Sequence, residues 1–296
     1  MVKVITLLGL GAMGKALAQR YIDTGYATTV WNRTPGKADA LLEKGAKLAT
    51  TVSESLSAAD LVIVCLLDNA SVRETLSKAP TSSLRGKTIV NLTNGTPSQA
   101  RELSEWITSS GAAGYIHGGI MAIPVMIGSP HAVLLCSGNN AAAFAAVEAD
   151  LAHLGTAKFL GTDPGSASLH DLALLSGMYG LFAGFFQATA LATSQPGNTA
   201  TGFLSLLVPW LTAMTQSLAA LAEQIDSGDY TTRGSNLAMQ VAAIPNMIAA
   251  SEEQGVSPRL VEPIFELMKR AVEGGYGGAD ISAVIEYTKD ASNSHK

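Results

Sequence analysis

Near the start of the chain, Val4-Ile5-Thr6-Leu7-Leu8 reads as a buried strand. It runs straight into Gly9-Leu10-Gly11-Ala12-Met13-Gly14, and residues 15–22 then carry apolar side chains at helical spacing. Few folds accept a strand, a glycine turn and a helix at this spacing. Gly9 permits a tight turn, Gly11 lets backbone approach a pyrophosphate, and Gly14 lets the helix pack closely on the strand. The helix start adds unpaired N–H groups and the positive end of the dipole. Together these features predict a dinucleotide site at the head of a doubly wound α/β sheet.

The second strand, Thr28-Thr29-Val30-Trp31, delivers Asn32-Arg33-Thr34 where an NAD protein places an acid about 20 residues past its glycines. An acid there repels a ribose 2′-phosphate, whereas Arg33 attracts it and can stack on adenine. Thr34 can donate a hydrogen bond, and Lys37 is read as beginning the next helix nearby. The expected cofactor is therefore NADPH, held by Gly9, Leu10, Gly11, Ala12, Met13, Gly14, Asn32, Arg33, Thr34 and Lys37, with Leu66 and Leu67 walling it after a later strand.

Strand and helix patterns alternate up to Gly161, with strands read at residues 61–67, 88–92 and 132–136. Thr162-Asp163-Pro164-Gly165 punctuates a boundary, and the β-type runs stop beyond it. A long helix is expected over residues 166–193, capped by Ser166 and ended by Gln195-Pro196-Gly197-Asn198. Further helices are expected over residues 202–226, 234–254, 258–273 and 280–289, with Pro209 and Pro245 inside two of them. The fold class is thus an α/β Rossmann domain (residues 1–161) followed by an all-α domain (residues 162–296), joined by a long interdomain helix.

Residues 172–193 contain no charged side chain and could span a bilayer by length. They are rich in Gly, Ala, Ser and Thr and lack flanking basic clusters, so burial in protein is the preferred reading over membrane insertion. A helix apolar all round needs partners on every side. With only 15% charged residues among 296, this points to a homodimer in which the long helix passes into the second copy. Nineteen basic against 24 acidic side chains give −5 with no basic tract, which argues against nucleic acid as a partner. Cys65 and Cys136 in apolar runs suit a reduced, cytoplasmic protein, and no zinc-type Cys/His cluster is present in the sequence. No signal peptide is expected ahead of the first strand, and Asn293-Ser294-His295-Lys296 reads as a disordered polar tail.

Ligands of open α/β sheets bind beyond the carboxyl ends of the strands. Asn94, in Asn91-Leu92-Thr93-Asn94-Gly95-Thr96-Pro97, is placed to bond near the nicotinamide ribose or a reacting polar group, to cap the helix from Pro97, or to do both. In His117-Gly118-Gly119-Ile120-Met121-Ala122-Ile123-Pro124 the glycines permit close approach, and the apolar side chains suit a hydrophobic substrate better than a carboxylate. Asp171 in the apolar long helix is costly unless paired, hydrated or protonated. It reads as a proton donor of raised pKa or as an acid offset by the helix dipole. Tyr179 lies roughly 80° round the helix and lines the same cleft or is core; His170 reads as structural. Trp210, Met239 and Gln240 sit in apolar helices, where core is the ordinary role of Trp and Met.

The glycine motif with Asn32-Arg33-Thr34 resembles the β-hydroxyacid dehydrogenase superfamily. Around the general-base lysine of its acid-oxidising members this chain has Ser168-Leu169-His170-Asp171, and around their Ser-Gly-Gly carboxylate site it has Met121-Ala122-Ile123-Pro124. Those departures resemble the imine reductases, and within them the fungal NADPH-dependent reductive aminases. Val30 to Thr34, Ile89 to Pro97, Tyr115 to Ala122, Gly161 through Leu181, Pro209-Trp210, Gly234 to Leu237 with Met239-Gln240, and Gly277-Gly278 carry the likeness. The resemblance implies a domain-swapped homodimer that condenses a hydrophobic ketone or aldehyde with a small amine and reduces the imine. It assigns catalysis to Asp171, Tyr179 and Asn94, and pocket lining to Trp210, Met239 and Gln240, which join the substrate contacts expected of Ile120, Met121 and Ile123 in the apolar loop. The alternatives are a β-hydroxyacid-type dehydrogenase, opposed by the missing lysine, and a non-catalytic NADPH-binding protein.

Overall fold

The computed structural model describes residues 2–232 and 234–289. The tail Asn293 to Lys296 lies outside them. The chain divides into two compact units, residues 1–176 and 177–296.

In the first unit the elements run β1 (Val4–Leu8), α1 (Ala12–Asp23), β2 (Ala27–Trp31), α2 (Asp39–Leu42), β3 (Lys47–Leu48), α3 (Val52–Ala58) and β4 (Leu61–Val64). They continue as α4 (Asn69–Leu76), β5 (Thr88–Asn91), α5 (Pro97–Ser109), β6 (Gly114–Met121), β7 (Val133–Gly138), α6 (Ala141–Leu151) and β8 (Thr156–Phe159). The strands form one sheet in the order β3-β2-β1-β4-β5-β6-β7-β8, parallel except for the β6–β7 pair. Successive side chains on a strand face opposite ways, and helices cover both faces, so the strands are apolar throughout. Ile5, Leu7, Ile63 and Val90 enter one core with Leu17 and Tyr21 of α1. Leu8, Val62, Val64 and Ile89 enter the other with Leu56 and Leu103.

Several sequence expectations shift here. β4 stops at Val64, so Leu66 and Leu67 lie in a loop, with Leu67 86% exposed. Cys136 is buried but Cys65, just past the strand, is only partly so. Lys37 precedes α2, whose first residue is Asp39. β3 and β8 carry no strong sequence signal, being two residues and four residues long. β6 escaped the strand reading because its glycines break the apolar run.

The long helix α7 (Gly165–Thr193) begins in the first unit and continues into the second. The two compact units therefore meet inside α7, after Ser176. The reason is that Gly165, Ala167, Ser168 and Asp171 of its first turns are buried in the sheet unit. Its start is held by Asp163, not by Ser166. The Asp163 carboxylate accepts from the Gly165 N–H at 3.0 Å and from Arg101 at 2.7 and 2.8 Å, which holds its pKa down at about 2.

Among its described residues the second unit is helical apart from a Thr231–Ala279 bridge: α8 (Ala200–Thr215), α9 (Leu218–Ser227), α10 (Leu237–Glu253), α11 (Glu262–Ala271) and α12 (Ile285–Lys289). The single helix expected over 202–226 breaks at Gln216-Ser217. The one expected from residue 258 starts at Glu262, with Pro263 in its first turn. The last one opens as a 3-10 turn at Ile281–Val284. Pro209 and Pro245 lie inside α8 and α10 as expected. Leu237, Ile244, Met268, Ala271 and Val284 form this unit's core.

Candidate active site

The dinucleotide turn has the geometry its residue types require. Gly9 takes φ of +102°, and a Cβ there would lie 2.1 Å from the Cys65 carbonyl oxygen; one at Gly14 would lie 2.0 Å from the Gly9 oxygen. A Cβ at Gly11 would meet nothing within 4 Å, so space is open over the start of α1. No side chain caps that end, which leaves its N–H groups free for an anion. The turn therefore fits a pyrophosphate. The Asn32 carboxamide accepts from the Leu10 N–H at 2.9 Å and donates to the Thr34 carbonyl at 2.9 Å. Asn32 thus ties the glycine turn to the β2 loop, leaving Arg33, Thr34 and Lys37 exposed to meet a ligand. Leu66 packs beside Gly9.

Beyond the carboxyl ends of β5 and β6, the structure brings Asn94 and Asp171 together. Asn94 Nδ2 donates to Asp171 Oδ2 at 2.8 Å. Asn94 does not cap α5. That role belongs to Thr96, which forms a capping box with Gln99, and the T-x-x-Q spacing is its sequence signal. Asp171 is 5% exposed and lies beyond the first turn of α7, where the dipole offers it little. Burial raises its pKa, and the Asn94 bond opposes that rise.

What lets a carboxylate sit there is Gly119 on β6: a Cβ at that position would lie 2.7 Å from the Asp171 Cβ. The close approach expected of these glycines is thus to Asp171 at Gly119 and to Leu92 at Gly118. Ser168 Oγ donates to the Gly95 carbonyl, fixing the Asn94 loop to α7. Beneath the loop, Asn91 Nδ2 donates to Asn69 Oδ1 at 2.9 Å and to the Tyr115 hydroxyl at 3.1 Å, and Asn91 Oδ1 accepts from the Thr93 N–H. The Tyr115 hydroxyl lies 3.2 Å from His117 Nδ1, and burial pushes His117 down to about 4, so it is neutral at ordinary pH. Sequence reading missed Gly119 as the neighbour of Asp171, and Asn69 and this network beneath the loop, because only folding brings these separated residues together.

The apolar wall is partly present in the first unit: Ile120 and Met121 are half-buried at the end of β6, and Ile123 is 60% exposed. His170 is exposed, with Nδ1 at 2.8 Å from the Ser166 carbonyl oxygen. In the second unit Tyr179, Trp210 and Met239 are 64, 61 and 62% exposed, so none of them is core within one chain. Gln240 Nε2 donates to the Ser235 carbonyl at 3.0 Å. Among the described residues no His/Cys/Asp/Glu group is arranged to hold a metal.

Residues 4–160 match the NAD binding domain of 6-phosphogluconate dehydrogenase, and residues 163–290 match the NADPH-dependent reductive aminase-like C-terminal domain. The chain is 58% identical over 295 residues to an NADPH-dependent reductive aminase of Aspergillus oryzae, covering 99% of each chain. It superposes with a TM-score of 0.92 on the Aspergillus terreus reductive aminase in complex with NADPH4, cyclohexanone and allyl amine. That protein is 56% identical, with 98% of this chain and 100% of the other covered. A Pseudomonas imine reductase gives the same TM-score at 30% identity, with 97 and 100% covered. By sequence and by structure, this chain belongs to the family of NADPH-dependent reductive aminases.

Proposed function

We propose that this protein is an NADPH-dependent oxidoreductase acting on C=N bonds, a reductive aminase that joins a hydrophobic ketone or aldehyde to a small amine and reduces the resulting imine. The observation that carries the reading is the Asn94–Asp171 pair seated on Gly119, with no lysine nearby in α7. Gly9 to Gly14, Arg33, Thr34 and Lys37 would hold NADPH, which when bound supplies a hydride.

Protonated Asp171 can deliver its proton to the hydroxyl of a carbinolamine, which then leaves as water. The carboxylate left behind faces the cationic iminium and stabilises it. Asn94 fixes the orientation of that carboxylate by donating to one oxygen, leaving the other for substrate. Ile120, Met121 and Ile123 offer apolar surface to the carbonyl partner and displace water that would hydrolyse the imine. Tyr179, Trp210, Met239 and Gln240 complete the substrate contacts in this reading.

The protein acts as a homodimer. The support is exposed apolar surface: Leu174, Leu181 and Phe186 of α7 and Leu206 and Val208 of α8 are each more than half exposed in one chain. Residues Gly165–Thr193 and Ala200–Ser227 are long and apolar enough to cross a membrane by length and composition. A second copy with the same surface covers them without lipid. The two free thiols, pushed up to about 11 for Cys65 and about 12 for Cys136, support a reducing cytoplasm as the working compartment.

The test is NADPH oxidation with cyclohexanone plus allyl amine, with a cyclic imine, with cyclohexanone alone and with no substrate. Turnover with the ketone–amine pair well above the ketone alone is the expected result; turnover with neither that pair nor the imine would refute the reading.

A further inference from the structure

Lys78, just past the end of α4, lines a cavity of about 410 Å³ together with Arg33, Thr34, Lys37 and Thr50. Three cations from two separate segments thus face one space, and none of its described lining residues is acidic. Three carboxylates lie near this lining. Glu54 accepts from both the N–H and the hydroxyl of Thr50 at 2.7 Å, which holds its pKa down. Asp39 sits in the first turn of α2, near Gly36. Glu74 pairs with Lys78 itself at 3.0 Å, one helical turn back, with both side chains well exposed.

We propose that Lys78 is a third cation for the ribose 2′-phosphate, supplied by the α4 segment in addition to Arg33 and Lys37 of the β2 loop, and that it widens the preference for NADPH over NADH. The assignment rests on the NADPH reading above. An exposed i,i+4 pair such as Glu74–Lys78 contributes little. A phosphate monoester near its full double charge, already flanked by Arg33 and Lys37, competes successfully for the Lys78 ammonium. The lysine stem is flexible and its charge compact, so it can swing from Glu74 to the phosphate without a fixed docking geometry. NADH presents an uncharged hydroxyl instead and leaves Lys78 with Glu74. The gain is therefore confined to one dinucleotide, which is what specificity requires.

The experiment is a fluorescence titration of the full-length protein with NADPH and with NADH, for wild type, Lys78→Ala and Lys78→Arg, with thermal unfolding of each variant alongside. Lys78→Ala is expected to weaken NADPH about five- to tenfold while changing NADH by less than about twofold, and Lys78→Arg to retain NADPH affinity. Unchanged NADPH affinity in Lys78→Ala, or equal weakening of both dinucleotides, overturns the assignment while leaving the cofactor reading intact. A wild-type protein that binds both dinucleotides equally overturns the cofactor reading, and this assignment with it.

Discussion

Asp171 is the acidic side chain of α7, buried against Gly119 of β6. A carboxylate in an otherwise uncharged helix is conspicuous because its burial is costly, and that cost raises its pKa. Asn94 was legible as a polar group near the cofactor or as a helix cap, and the Thr96–Gln99 box removes the cap. Gly119 was read only as permitting a close approach, since nothing in one chain's order of residues tells a glycine which neighbour it admits. The Asp171→Asn variant keeps an acceptor for Asn94 and removes the acid, so turnover should fall about 10²- to 10⁴-fold with NADPH binding retained. Its stability should change with pH in a defined sense. A folded-state pKa above the unfolded value means that ionised Asp171 costs the native state free energy at neutral pH. The variant should therefore melt higher than wild type there. The difference should shrink as pH falls through the folded pKa of Asp171 and vanish below its unfolded value near 3.9. Thermal melts at pH 7 and at acid pH check this; a variant that melts lower at pH 7 would contradict it.

Elements were legible where periodicity was strong and blurred where packing alone decides. β1, β2, β4, β5 and β7 read as strands because both faces are buried. β6 did not, since Gly118 and Gly119 replace the apolar residues a strand reading needs. Gly118 and Gly119 are there to admit Leu92 and Asp171. The break between α8 and α9 has no Pro or Gly to announce it. β6 is thus the element on which the site depends. Gly119→Ala would place a methyl 2.7 Å from the Asp171 Cβ. It should cost about 1–3 kcal/mol of stability as α7 or β6 shifts, and it should lower turnover more than NADPH affinity. Denaturant unfolding and a dinucleotide titration on the same sample test both halves, and wild-type turnover in Gly119→Ala would show that the close approach does not matter.

For the molecule as a whole, the all-round apolar helix was the sequence's pointer to a second copy, and one chain leaves it uncovered. Its most apolar stretch is 6% buried, and the equivalent stretch from Ala200 to Ser227 is 0% buried. Light scattering at micromolar concentration should give a mass near twice 30.5 kDa. Phe186→Glu, which puts a charge on the exposed face of α7, should shift it toward the monomer; a wild-type monomer would contradict the dimer. The fold class was legible because the glycine turn and the alternating pattern act locally. What would cover α7 was legible only as a need, because no residue pattern names its own complement. The central claim is that Asp171 serves carbon–nitrogen chemistry on a ketone and an amine. Its most direct test is NADPH consumption with cyclohexanone and allyl amine at near-equal concentrations, run for wild type beside Asp171→Asn. The account predicts formation of the secondary amine by the wild type and its near loss in the variant. Equal turnover by both proteins, or wild-type activity only with a hydroxyacid, would contradict it.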